Sequence, residues 1–216
     1  MKGISLLSGG KDSYMSLMIA ISLGINIERT ITVIPQEDSM MFHVPNAILG
    51  KAVSELAAIE NTTIGEEEFY EEIKKYKDYF IVAGAVESEY QKTRLEKMAY
   101  EIGMKTFFPL WRRNQLSIMH DFIKSGSRGI FVSVAAEGLD ETFLGKEIDE
   151  KSLSELVKLN IKYGISIVGE GGEYETLVTY NPFNDLYIEI LEKEIMNRGM
   201  QKNLIVKRYS VHPFHQ

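Results

Sequence analysis

An α/β protein is predicted, built as a parallel sheet with helices on both faces and followed by a smaller α+β module. Three observations carry this. Apolar runs of strand length alternate with helical stretches through the first half. The first such run breaks into Ser-Gly-Gly-Lys-Asp-Ser (Ser8–Ser13) and turns apolar again at once. Beyond about residue 120 the pattern changes to partly alternating strands separated by longer, Gly-containing loops, with no internal repeat.

Taken in order, Gly3 to Leu7 reads as a buried strand, and Ser13 to Leu23 as a helix apolar on nearly every side and ended by Gly24. Arg29 to Ile34 is a second strand. The loop QEDSMMFH follows, then a helical stretch from Pro45 to Ile59. In EEEFYEEIKKYKD (Glu66–Asp78), Glu and Lys recur at helical spacings such as Glu71 to Lys75. That pattern predicts a solvated helix face with Phe69, Ile73 and Tyr76 turned inward. Tyr79 to Val86 is a strand running into Gly84, and SEYQKTRLEKMAYEIG is a helix closed by Gly103. In the second half, Gly129 to Ala136 is a strand, Ser152 to Tyr163 a helix, and Leu186–Leu191 and Leu204–Val211 are strands. The boundary is expected between Pro109 and Gly129, dividing the chain into 1–113 and 114–216. The closing HPFHQ reads as a frayed end without paired metal ligands.

The 216 residues contain no cysteine, which removes disulfides, thiolate metal sites and any Cys nucleophile of the chain's own. No apolar run reaches the roughly 18 residues of a membrane span, and the N-terminus lacks a secretory pattern, so a cytoplasmic protein with no membrane partner is expected. The formal net charge of −7 argues against a broad nucleic-acid surface. Oligomeric state stays open.

A Gly-rich turn between a first strand and a first helix aims backbone N–H groups and the positive end of the helix dipole at an anion, and Lys11 adds a point charge. Two familiar phosphate motifs fail on spacing. A Walker A loop needs Gly and Ser/Thr where this chain has Ser5 and Asp12, and the dinucleotide fingerprint needs a third glycine that is missing. A plain turn, with Asp12 or Ser13 as helix cap, explains those two residues but not adjacent glycines with a lysine. SGGKDS after a strand resembles the PP-loop of N-type ATP pyrophosphatases, whose sheet is Rossmann-like and of the HUP type. That resemblance implies ATP bound by Ser8, Gly9, Gly10, Lys11, Asp12 and Ser13, with Asp12 helping to hold Mg²⁺. Ile34 at the end of the second strand, His43 in the next loop, and Gly84 and Ala85 after a later strand border the same carboxyl edge.

Two longer stretches narrow the reading. GAVESEYQKTRLEKMAYEIGMKTFFPLW (Gly84–Trp111) and GEGGEYETLVTYNPF (Gly169–Phe183), in order after SGGKDS and with GLDETFLGKEID between them, resemble the diphthine–ammonia ligase family. That family amidates diphthine, a trimethylammonium-bearing modified histidine on a translation elongation factor, using ATP and ammonium and releasing AMP and pyrophosphate. The resemblance implies an elongation-factor partner. Ser88, Tyr90, Gln91 and Trp111 fall at the substrate, with Arg94, an i, i+4 neighbour of Tyr90, stabilising phosphate charge. A surface Arg94 paired with Glu87 or Glu101, and a Trp111 that is plain core, are the alternatives. Glu170, Gly171, Gly172, Glu173, Tyr174, Glu175 and Thr176 read as a carboxylate-rich glycine turn suited to cationic acceptor and nitrogen donor, with Glu173 foremost and Tyr174 as an aromatic partner. A solvated turn is the bland reading. The competing functions are another AMP-forming ligase of this superfamily, such as a tRNA-modifying enzyme, and a nucleotide-binding sensor without catalysis.

Overall fold

The first apolar run forms β1 (Lys2–Leu6) in a computed structural model that describes residues 1–35 and 49–214. The chain divides into two units, Met1–Arg112 and Arg113–Gln216.

In the first unit β1 leads through the glycine loop into α1 (Lys11–Ser22), followed by β2 (Asn26–Ile34), α2 (Gly50–Leu56) and β3 (Asn61–Gly65). A one-turn 3₁₀ segment precedes α3 (Phe69–Ile73). Then come β4 (Phe80–Val82), α4 (Glu89–Ile102) and β5 (Lys105–Phe107). All five strands are parallel, in the order β3-β2-β1-β4-β5. Since successive strands point to opposite faces, Ile4, Leu6, Ile31, Val33 and Ile81 share one face, where they pack with Phe69 and Ile73 of α3 and Leu95 and Ala99 of α4. Ser5, Thr30 and Thr32 fall on the other face, and Thr30 meets Ser54 of α2 at 2.7 Å. The two faces are therefore covered by different helices, as a parallel sheet requires.

Several boundaries differ from those expected, each for a physical reason. α1 begins at Lys11 rather than Ser13, so Lys11 and Asp12 are its first turn. The strand read as Tyr79–Val86 pairs only over Phe80–Val82, before turning at Gly84. The charged helix is broken into 3₁₀, α and 3₁₀ turns. Its ion pairs are i, i+3 (Lys74–Glu71 and Lys75–Glu72), while Phe69 and Ile73 are buried as expected. β3 and β5 have no apolar run and show themselves only through pairing at the sheet edges. The loop QEDSMMFH, including His43, and the start of the helical stretch at Pro45 lie outside the described residues.

In the second unit α5 (Gln115–Lys124) is capped by Asn114, whose side chain accepts from the Ser117 N–H at 3.0 Å. It leads to β6 (Arg128–Val134) and α6 (Glu150–Tyr163). The latter opens with a reciprocal Asp149–Ser152 cap and closes at Gly164 with φ +74°. β7 (Tyr174–Asn181), β8 (Leu186–Arg198) and β9 (Gln201–Pro213) follow, and the four strands close as an antiparallel barrel through β6–β9 pairing. The end of the chain is not frayed up to Phe214. His212 pairs with Tyr187 in the ladder, and Phe214 donates its N–H to the Asp185 carbonyl at 2.7 Å and packs on Tyr180.

Candidate active site

Strand order reverses at β1, whose neighbours β2 and β4 carry the chain to opposite sides. The crevice beyond the carboxyl ends of β1 and β4 is the place where such a sheet accepts a ligand. Ser8–Ser13 lie there. Gly9 takes φ +93°, a conformation that favours glycine. A Cβ at Gly9 would sit 3.2 Å from the Gly50 nitrogen, and one at Gly50 would lie 2.2 Å from the Leu7 carbonyl oxygen and 2.4 Å from Thr32 Oγ1. The loop and the start of α2 thus meet backbone to backbone with the Thr32 side chain against them, and no larger residue fits at Gly50. The loop braces itself as well. Ser13 Oγ donates to the Gly10 carbonyl at 3.0 Å and meets Ser8 Oγ at 3.1 Å. Gly10 is the helix N-cap and no side chain caps the first turn, so neither Asp12 nor Ser13 serves as the cap.

Lys11 is buried, 1% exposed, and does not extend into solvent as its type suggests. Its Nζ donates to Asp12 Oδ2 at 2.9 Å. The other oxygen, Asp12 Oδ1, is buried and accepts no hydrogen bond among the described residues. A buried carboxylate oxygen lacking a donor suits a hard divalent cation, so the residues present fit Mg²⁺ held jointly with phosphate oxygens. Among the described residues no group of three or more His, Cys, Asp or Glu forms an all-protein cage.

Gly84 serves the packing of the loop itself. A Cβ there would fall 2.7 Å from the Asp12 carbonyl carbon and the Ser13 nitrogen, so this glycine lets β4 pack directly against the first turn of α1. Ala85 beside it is buried, and Ile34 is exposed at the end of β2. Ser88 caps α4, its Oγ accepting the Gln91 N–H at 3.4 Å. Tyr90 and Arg94 meet as the i, i+4 spacing predicted, Arg94 Nη1 donating to the Tyr90 hydroxyl at 3.2 Å. The carboxylate near Arg94 is Glu66, at 3.7 Å, rather than Glu87 or Glu101. Trp111 is half-buried, with Lys92 Nζ 5.3 Å and the Arg112 guanidinium 5.6 Å from its ring. It is an aromatic face between two cations, not plain core.

In the barrel unit the glycine turn is organised by Glu173. One carboxylate oxygen accepts the Ser166 N–H and the other the Gly171 N–H, both at 2.8 Å. Gln115 Oε1 accepts the Ile167 N–H at 2.8 Å, and Ser166 Oγ accepts the Glu170 N–H at 3.2 Å. Gly172 takes φ +80° at the corner. Tyr174 is core, 3% exposed. Its hydroxyl donates to the Ile167 carbonyl and its ring stands edge-on to Phe131, so the side chain is packed in the core rather than presented to solvent.

Glu175 and Thr176 belong to β7, where a turn was expected. Glu175 is half-buried, and burial alone pushes its carboxyl up from 4.5 to about 7. Opposite it across the ladder stands Ser133, and opposite Ser133 on β9 stands Asn203. Sequence reasoning missed Ser133, Gln201 and Asn203. The one available signal was the i, i+2 pair of amides, Gln201 and Asn203, where β9 begins.

A parallel α/β unit with SGGKDS at its switch point, joined to a barrel unit in which EGGEYET leads into β7, is the PP-loop class of nucleotide-binding protein with a second, dedicated module. Comparison with known proteins specifies the family. Residues 1–106 match the diphthamide synthase N-terminal domain and residues 114–212 the diphthamide synthase C-terminal domain. A Bos taurus diphthine–ammonia ligase is 30% identical over 232 residues, covering 92% of this chain and 86% of that protein. A Schizosaccharomyces pombe diphthine–ammonia ligase is 33% identical over 228 residues, again 92% of this chain, which spans only 38% of that longer protein. The chain belongs to the diphthamide synthase family. A solved structure from Methanocaldococcus jannaschii, described as a predicted subunit of tRNA methyltransferase, aligns with a TM-score of 0.47 and 15% identity over 83% of this chain and 97% of that one.

Proposed function

We propose that the protein is a diphthine–ammonia ligase, which uses ATP to amidate diphthine on a translation elongation factor and releases AMP and pyrophosphate. The single observation that carries this reading is that both units match the family in order, with the glycine loop at the sheet's switch point.

The unit Met1–Arg112 takes ATP, and the unit Arg113–Gln216 takes the acceptor and the nitrogen donor. Ser8 to Ser13 bind the phosphate chain through backbone N–H groups at the uncapped start of α1, where the helix dipole favours negative charge. Lys11, fixed against Asp12 in a buried position, presents its charge without the rotamer freedom of a surface lysine. Asp12 would hold Mg²⁺, which supplies charge neutralisation on the phosphates when bound. Arg94, held by Tyr90 and Glu66, supplies a second cation near the same edge. The diphthine carboxylate oxygen attacks the α-phosphorus, pyrophosphate leaves, and the resulting acyl-adenylate is opened by ammonia, whose nitrogen replaces AMP on the carbonyl carbon.

The test is direct. The purified protein is incubated with diphthine-bearing elongation factor, ATP, Mg²⁺ and ammonium chloride, and nucleotide products and the mass of the modified histidine are measured. AMP with stoichiometric amidation is expected. ADP with orthophosphate, or AMP without amidation, overturns the reading.

A further inference from the structure

We infer that Glu175, Ser133 and Asn203 form the site that takes up ammonium, with Glu175 accepting its proton, an inference that rests on the ligase reading and assigns the nitrogen donor a place in it. The three residues are consecutive cross-strand partners on β7, β6 and β9, so their side chains stand on one face of the barrel wall at neighbour spacing. Gln201, two residues before Asn203 and on the same face, donates Nε2–H to Ser133 Oγ at 3.1 Å and fixes that hydroxyl.

Two acceptors in the row go without a donor. Asn203 is 2% exposed, and its Oδ1 is buried without a hydrogen-bond partner among the described residues. A native protein rarely leaves such an acceptor orphaned. Glu175 makes no hydrogen bond or ion pair among the described residues, and burial is the only influence on its proton affinity. A carboxylate and an unpartnered amide oxygen therefore stand on one face of the barrel wall beside the Ser133 hydroxyl, and a small cation with several N–H donors would satisfy them.

Ammonium fits this description better than the other cation of the reaction. A trimethylammonium group has no N–H to donate and is recognised by aromatic faces. The adjacent ring, Tyr174, points to the opposite side of β7 and is buried against Phe131. A divalent metal would need six or more oxygen ligands, which this row with its single carboxylate does not provide without phosphate oxygens to share the ion. The proton balance is also met. Ammonium transfers one proton to the Glu175 carboxylate and becomes NH₃. Its lone pair forms the C–N bond, the bond from the acyl carbon to the AMP oxygen breaks with its electrons on AMP, and the second proton leaves the nitrogen for solvent. A carboxyl titrating near 7 is matched to that task, as an ordinary surface glutamate is not.

The experiment uses Glu175→Gln and Asn203→Leu in the full chain. Asn203→Leu is the sharper variant because removing an unsatisfied buried acceptor leaves the fold as stable or more so. Both should raise the ammonium concentration for half-maximal amidation by about 10- to 100-fold, the value of a hydrogen bond to a charged group. Hydroxylamine, a neutral nucleophile at pH 7.5, should trap the acyl-adenylate as hydroxamate with a loss at least about tenfold smaller, because it has no proton to surrender before attack. Separately, ammonium chloride should raise the melting temperature of the parent above that in sodium chloride at equal ionic strength, and not that of Asn203→Leu. Unchanged ammonium dependence in both variants, or equal losses with ammonium and hydroxylamine, overturns the inference. A parent that forms neither amide nor hydroxamate yet keeps the ammonium-specific shift overturns the ligase reading and leaves the ammonium site standing.

Discussion

Glu175→Gln should make the barrel unit more stable at alkaline pH while damaging activity, and the size of the effect follows from where the side chain sits. The folded carboxyl titrates near 7 against 4.5 for an unhindered one. Between those values the unfolded chain is already ionised while the folded chain keeps its proton, so the folded state binds more protons. Stability therefore falls as pH rises through this window and levels off above it. Raising the carboxyl from 4.5 to about 7 corresponds to about 3 kcal/mol, an upper bound because the carboxylate retains some solvent. Glutamine keeps the shape and cannot ionise. The variant should match the parent at pH 4 and exceed it by about 2–3 kcal/mol at pH 8. Amide hydrogen exchange of the β7 peptide reads this locally, without requiring the two units to unfold together. Parallel pH profiles for the two proteins, or a variant less stable at pH 8, would refute the burial argument and send Glu175 back to a solvated turn.

Lys11→Ala should cut AMP formation by about 10²- to 10³-fold. Because Lys11 is buried against Asp12, it should also lower stability by about 1–3 kcal/mol, measured by denaturant titration. Retained turnover removes the loop assignment. Gly84→Ala places a Cβ 2.7 Å from the backbone of Asp12 and Ser13, so about 1–3 kcal/mol of destabilisation and weaker ATP binding by calorimetry are expected; an ATP affinity equal to the parent's contradicts the packing role. Glu173→Gln leaves one acceptor where two N–H groups need them. It should cost about 1–2 kcal/mol and loosen exchange at Ser166 and Gly171, whereas a change in ammonium dependence with a rigid turn would place Glu173 in the donor site itself.

The parallel sheet was legible because β1, β2 and β4 are buried on both faces and read as apolar runs separated by glycine punctuation. β3, with its Asn-Thr-Thr, escaped because Asn61 spends its amide on Thr30 and Thr32, satisfying polar side chains that no local pattern marks as strand-forming. The glycine loop could be named but its interior could not. Lys11 reads as a surface charge, and its burial against Asp12 has no local signal. β7 was hidden for a similar reason. EGGEYET is dense in charge, and a strand beginning inside it becomes visible only when Ser133 and Val134 supply partners.

Glu173 and Glu175 look interchangeable in the sequence and have opposite physical standing in the structure. Both oxygens of Glu173 are spent on backbone N–H groups, so its charge is satisfied by the turn it builds. Glu175, two residues on, has crossed into β7, where nothing among the described residues donates to its carboxylate. A carboxylate whose oxygens are spent on backbone N–H groups contributes to the fold through those bonds. One that is buried and unpaired lowers stability whenever it is ionised, and its presence needs a reason outside folding. The turn held by Glu173 fixes where β7 begins and thereby which face Glu175 takes, since a slip of one residue would exchange it with the core Tyr174. The first glutamate is thus the positioning residue for the second, and weakening Glu173 should disturb ammonium use only to the extent that the register of β7 is lost.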